Sequence, residues 1–195
     1  MAGPTRIVVV RHGETEWSAS GQHTSRTDLP LLEAGREQAR ALAPVLEGQR
    51  FALILSSPMK RALETCELAG FGADVTVSDA LCEWDYGEYE GLTTREIRSR
   101  APEWNLWRDG CPGGESPEQI GSRADRALGE LGEVDGDVLV FAHGHILRVF
   151  SARWLGCPVD FGAHLLLSAG SLCVLGLDRG TRAIVRWNAV PGTVL

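Results

Sequence analysis

A run of β-branched residues, Ile7-Val8-Val9-Val10, stops abruptly at Arg11-His12-Gly13-Glu14-Thr15. Such side chains are stiff at χ1 and pack well on a pleated surface, so the run predicts a short buried strand. Two later apolar runs end the same way. Phe51–Leu55 empties into Ser56-Ser57-Pro58, and Asp137–Ala142 empties into His143-Gly144-His145. Reactive sequence at strand ends suits an open α/β sheet, whose sites lie outside the carboxyl ends of the strands.

Helical spacing fills the gaps. Glu33–Leu46 places Ala39, Leu42, Ala43 and Leu46 on one face, with Pro44 expected to kink or shorten it. A helix is predicted from Met59 to Leu68, with Pro58 suited to its first turn, and another from Ile146 to Leu155. Ser116 reads as an N-cap and Pro117 as the first residue of a helix running to about Leu131. Val75–Val77 is a weaker strand. Leu172–Leu177 and Ala183–Trp187 flank Asp178-Arg179-Gly180-Thr181 as a terminal hairpin. The expectation is a three-layer α/β fold: a mostly parallel central sheet flanked by helices, with an antiparallel edge and a C-terminal hairpin.

The 195 residues suit a single domain spanning 1–195. Within it, 82–118 differs in character. It holds Trp84, Trp104, Trp107, both tyrosines (Tyr86 and Tyr89) and five glycines. This segment reads as a lid or binding wall, the alternative being a mini-core that packs its own aromatics. Short helices are predicted at Thr93–Arg100 and Pro102–Arg108.

Charge and cysteine content narrow the function classes. With 19 basic against 26 acidic residues the net charge is -7, the wrong sign for a general nucleic-acid binder or a membrane-surface protein. No apolar window is long enough to span a bilayer. Lys60 is the only lysine, so positive charge is carried by arginine, the better geometric match to phosphate. Five widely spaced cysteines without a C-x-x-C argue against a disulfide framework and against a zinc site. The first residues, Met1 to Arg6, lack the pattern of a signal peptide, so a cytoplasmic location is expected. The terminal hairpin offers an edge through which copies of the chain could pair as a homo-oligomer.

Two histidines and two arginines, Arg11 and Arg61, would converge at one sheet edge. A phosphoryl dianion needs several donors, and arginine supplies forked pairs. Backbone near Gly13 and Gly144 can approach an anion closely. An imidazole held through one nitrogen can attack with the other. The leaving alkoxide needs a proton, for which Glu83 is the first candidate. Glu14 is the second, although its position beside Arg11 predicts an ion pair. No metal-ligand spacing is visible, so neither metal nor cofactor is expected.

These residues resemble a known family. Arg11-His12-Gly13-Glu14-Thr15 is similar to the signature of the histidine phosphatase (phosphoglycerate-mutase-like) superfamily. Four further blocks follow in the family's order: Ser56-Ser57-Pro58 with Arg61-Ala62, Glu83 with Tyr86-Gly87 and Glu90-Gly91, Gly114-Glu115-Ser116, and His143-Gly144. The stretches 17–24, 83–91, 104–111 and Phe141–His145 with Arg148 resemble the sugar-bisphosphatase and acid-phosphatase branch. The resemblance implies that His12 is the nucleophile, that Arg11, Arg61 and His143 bind the transferring group, and that Glu83 is the acid. Ser18, His23, Thr24, Tyr86, Gly144 and Arg148 match substrate-contacting positions. Arg95 and Arg108, placed by charge and location, are candidates for a distal phosphate. Ser18 stands where many members have Asn, Ser25 where Gly is usual, and Leu32 where Thr usually caps a helix. The last change is worth about 1 kcal/mol of cap stability.

The implied activity is hydrolysis of a phosphomonoester, expected on small phosphorylated sugars or related metabolites, through a phosphohistidine. A cofactor-dependent phosphoglycerate mutase is the alternative. The mutases that this chain resembles are longer, with a larger lid and a C-terminal tail, which favours hydrolysis. A non-catalytic phospholigand-binding module is the third reading, against which His12 and Glu83 both stand.

Overall fold

The computed structural model describes residues 4–132 and 134–192. The opening residues 1–3, part of the stretch read for a leader, lie outside them. Strand β1 (Arg6–Arg11) is followed by a short helix α1 (Glu16–Ser20) and by α2 (Glu33–Leu46). Then come β2 (Leu53–Ser56), α3 (Lys60–Leu68) and a two-residue strand β3 (Thr76–Val77). Helices α4 (Thr94–Arg100), α5 (Leu106–Asp109) and α6 (Pro117–Gly129) precede β4 (Val138–Ala142) and α7 (Gly144–Trp154). Strands β5 (Leu172–Asp178) and β6 (Thr181–Ala189) close the described chain as a hairpin.

The six strands form one sheet in the order β3-β2-β4-β1-β5-β6. The first four are parallel, and β5 and β6 run antiparallel to their neighbours. Side-chain alternation splits the core into two layers. Ile7 and Val9 face α6 and α7 with Ile120, Ile146 and Phe150. Val8 and Val10 face the other way, with Leu42, Leu46 and Cys66 of α2 and α3. Burying a side chain of this size is worth about 1.5–3 kcal/mol, so a slip of β1 by one residue would exchange its two sets of partners.

Several boundaries differ from expectation for local reasons. Helix α2 runs through Pro44, which is exposed and only two residues from its end, so the lost hydrogen bond falls on the solvent side. Pro58 lies outside α3, whose N-cap is Met59. The helix expected over Pro102–Arg108 shrinks to α5, because the Asn105 side chain accepts from Trp107 N and starts the turn there. Helix α7 begins at Gly144, two residues early. Leu32 caps α2 without any side-chain hydrogen bond. Trp84, Tyr86 and Trp104 join the same core layer as β1 and α7 rather than a separate mini-core. No described helix is long and apolar enough to cross a membrane.

Candidate active site

Register brings the reactive strand ends together. Arg11 pairs with Ala142, and Ser56 with Phe141, so β1, β2 and β4 end level. His12 and His143 follow directly, their ring centroids 5.1 Å apart in an edge arrangement. The chain beyond β1 must pass hard against the start of α2. A Cβ on Gly13 would lie 2.2 Å from the Gly35 carbonyl oxygen, so only glycine fits there.

His12 is buried, and its Nδ1 bonds the Gly13 carbonyl at 2.7 Å. A carbonyl only accepts, so Nδ1 carries the proton and Nε2 keeps its lone pair. Burial first, then Arg11 and Arg61, hold the His12 pKa well below its ordinary value; the bond to Gly13 opposes them weakly. The ring is therefore a neutral nucleophile at neutral pH.

Arg61 is fully buried in the first turn of α3. Its Nε donates to His143 Nδ1 at 3.1 Å, and its other nitrogens donate to the carbonyls of Thr27 and Ser25, each at 3.0 Å. Because His143 Nδ1 accepts, its Nε2 carries the proton and donates to Ser57 Oγ at 2.7 Å. Burial, then Arg61, depresses the His143 pKa well below ordinary. Arg11 donates to the Leu167 carbonyl, while its buried Nε has no partner. The expected Arg11–Glu14 ion pair is not formed. Glu14 instead contributes backbone, its N–H to Gln38 and its carbonyl to Leu32 N.

Glu83 is buried on the first turn of α7. Its Oε1 accepts from Trp84 N and Ile146 N, both at 2.8 Å, and Oε2 accepts from His145 N at 2.9 Å. His143, the N-cap residue, spends its ring on Arg61 and Ser57, so this carboxylate caps the helix from a distant loop. Oε1 has both lone pairs engaged. Oε2 keeps one free and is the atom that can exchange a proton.

A cavity of about 350 Å³ opens over Arg11, His12 and Glu83, whereas Arg61 and His143 are fully buried and do not line it. Arg11, His12, Glu83 and Gly144 line it, together with the expected Ser18, His23, Thr24, Tyr86 and Arg148. Ser18 completes the capping box of α1 with Thr15. Thr24 Oγ1 donates to the Gln22 carbonyl at 3.3 Å. His23 Nδ1 donates to the Leu92 carbonyl at 2.7 Å. Arg148 lies over the Trp107 ring, 4.5 Å from its centroid, and donates to Gly162 and Ala163 carbonyls.

Arg95 and Arg108 do not line this cavity. On α4 the lining residues are Thr94 and Arg98, four apart on one face, and Arg95 is turned about 100° away from Thr94 into solvent. Arg108 is drawn outward to Asp109 and to the Glu103 carbonyl. Arg98, Trp107 and His145 line the cavity without having been singled out as site residues. His145 is the second histidine of His143-Gly144-His145 and stands three residues before Arg148 on α7, a spacing that puts both on one face. Its Nδ1 meets the Tyr86 hydroxyl at 2.6 Å. Burial raises the Tyr86 pKa well above ordinary and lowers that of His145 well below, so both are neutral.

Comparison with known proteins agrees with this geometry. The family model of the histidine phosphatase superfamily (branch 1) matches residues 7–190. The chain is 39% identical over 183 residues to an acid phosphatase of Mycobacterium tuberculosis, covering 92% of this chain and 90% of that one. It is 41% identical over 187 residues to sedoheptulose 1,7-bisphosphatase of Saccharomyces cerevisiae, covering 80% and 69% respectively. The solved structure of a Mycobacterium tuberculosis open reading frame product superposes with a TM-score of 0.89 at 37% identity, over 95% of this chain and 98% of that one. The family match spans nearly the whole described sheet and every strand end that carries the site, and on it the chain belongs to branch 1 of the histidine phosphatase superfamily.

Proposed function

We propose that this phosphatase hydrolyses small phosphorylated sugars and related metabolites through a phosphohistidine formed on His12. The observation that carries the reading is a neutral imidazole, fixed through Nδ1, beside two buried guanidinium groups and a carboxyl oxygen with one free lone pair. The names of the acid phosphatase and sugar bisphosphatase relatives support the substrate class.

In the first half-reaction the Nε2 lone pair of His12 attacks phosphorus. The P–N bond forms as the ester P–O bond breaks, and the leaving alkoxide takes the proton on Glu83 Oε2. Arg11 and Arg61 stabilise the charge that spreads over the equatorial oxygens. In the second half-reaction water attacks phosphorus and gives a proton to Glu83. The P–N bond breaks, inorganic phosphate leaves, and both side chains return to their starting states. Arg148, Tyr86, His145 and His23 face the alcohol portion of the ester.

A rapid quench with labelled substrate should trap an acid-labile phosphoenzyme that is absent from His12→Ala. Unchanged labelling of His12→Ala would refute the nucleophile.

A further inference from the structure

Arg123, 9% exposed and not lining the cavity, holds the loop that carries Glu83. Its Nε and one terminal nitrogen grip the Glu115 carboxylate at 2.8 and 2.6 Å. The other terminal nitrogen donates to the carbonyls of Ala80, at 3.0 Å, and Cys82, at 2.5 Å. A last N–H reaches the Glu83 carbonyl at 3.1 Å. A guanidinium has five N–H donors, and all five are spent here. Glu115 adds grip of its own: Oε2 accepts from Asp85 N, its N–H donates to the Asp85 carbonyl, and its carbonyl accepts from Trp84 Nε1.

Glu83 is thus pinned twice. Its carboxylate rests on the first turn of α7, and its carbonyl is drawn the other way by Arg123 and by Ser25 Oγ. We infer that Arg123 and Glu115 are positioning residues for proton transfer by Glu83, acting through the backbone of 80–85 without touching substrate. The inference rests on Glu83 being the acid.

Misplacing a reacting group by about 1 Å costs up to about 100-fold. That loss appears only where the leaving group needs a proton. Single-turnover formation of the phosphoenzyme should therefore be measured with glycerol phosphate, whose alkoxide leaves poorly, and with p-nitrophenyl phosphate, whose phenolate leaves largely unaided. Arg123→Met and Glu115→Gln should lose at least about tenfold more rate on the first substrate than on the second. Arg123→Lys, with three donors instead of five, should fall between wild type and Arg123→Met. The rate on p-nitrophenyl phosphate also reports how much of each variant is folded and competent, and Glu115→Gln keeps the shape of the clamp if Arg123→Met does not fold. Selective loss in Glu83→Gln with equal losses on both substrates in the Arg123 and Glu115 variants would overturn the inference alone. Equal losses in Glu83→Gln itself would overturn the acid assignment and the inference with it.

Discussion

Gly144→Ala separates stability from catalysis with a single methyl group. An added Cβ would lie 3.4 Å from Arg11 Nε, 3.5 Å from its Cζ and 3.7 Å from Glu83 Oε2. These are contacts rather than clashes, and Gly144 does not have a positive φ, so the fold tolerates the change. Restricting the unfolded chain should stabilise the protein by about 0.4–1 kcal/mol. The same methyl stands over Arg11 Nε, which is buried without a partner and which, on the proposed mechanism, serves a phosphoryl oxygen. Losing a hydrogen bond to a charged group costs about 1.5–3 kcal/mol. At about 1.4 kcal/mol per factor of ten, kcat/KM should fall roughly 10- to 150-fold. Inhibition by inorganic phosphate should weaken alongside, while the thermal midpoint holds or rises. A variant with a raised midpoint and wild-type kcat/KM would refute the placement of the phosphoryl group between Arg11 and Gly144.

Other perturbations test other layers. Gly13→Ala should destabilise by about 3 kcal/mol or more in urea unfolding, since its Cβ would sit 2.2 Å from a backbone oxygen of Gly35; wild-type stability would contradict that packing. Cys66, Cys111 and Cys173 have thiols pushed up to about 12 by burial. At about pH 8, native protein should therefore expose at most Cys82 and Cys157 to a thiol reagent, and all five cysteines only after unfolding. His12, His143 and His145 are all held well below the ordinary 6.5. Below that pH the unfolded chain binds protons that the fold refuses, so stability is complete above about 6.5 and is lost as pH falls. Thermal midpoints should drop from about pH 7 to about pH 5, less steeply in His145→Gln, and a flat profile would contradict the neutral rings.

The parts legible in the sequence are those set by near neighbours. Strands β1 and β4 read clearly because Ile7–Val10 and Val138–Ala142 are apolar without interruption, and a doubly buried strand demands nothing else. Arg11, His12 and His143 read clearly because a strand end fixes where the next residues go. Arg61 follows in the first turn of a helix that starts at such an end. What fails is helix phase without a strong apolar stripe. Arg95 and Arg98 differ by three positions on a two-turn helix whose one buried residue is Ile97, and only the packed structure shows which arginine faces the cavity. Helix α7 starts two residues ahead of its apolar pattern for a related reason. Gly144 reads as a breaker, and the group that caps the helix, Glu83, comes from 61 residues away.

That distant cap exposes a kind of information that local patterns do not carry. The sequence marks Glu83 as a candidate proton donor, and in the fold its two oxygens are placed differently. One oxygen, saturated by Trp84 N and Ile146 N, anchors the start of α7, and the other is left half free over the cavity. The anchoring is what places Gly144, His145 and Arg148 along the cavity wall, since all three lie on the helix that it caps. Glu83→Gln would keep the shape and one oxygen for Trp84 N and Ile146 N, but its amide NH2 cannot accept from His145 N. Glu83→Ala would strip the acceptors from three backbone N–H groups, each costing about 1–3 kcal/mol where water cannot replace them. The two variants should therefore diverge in thermal midpoint, with Glu83→Ala several degrees lower. Equal midpoints would mean that these acceptors do not hold the start of α7 in place.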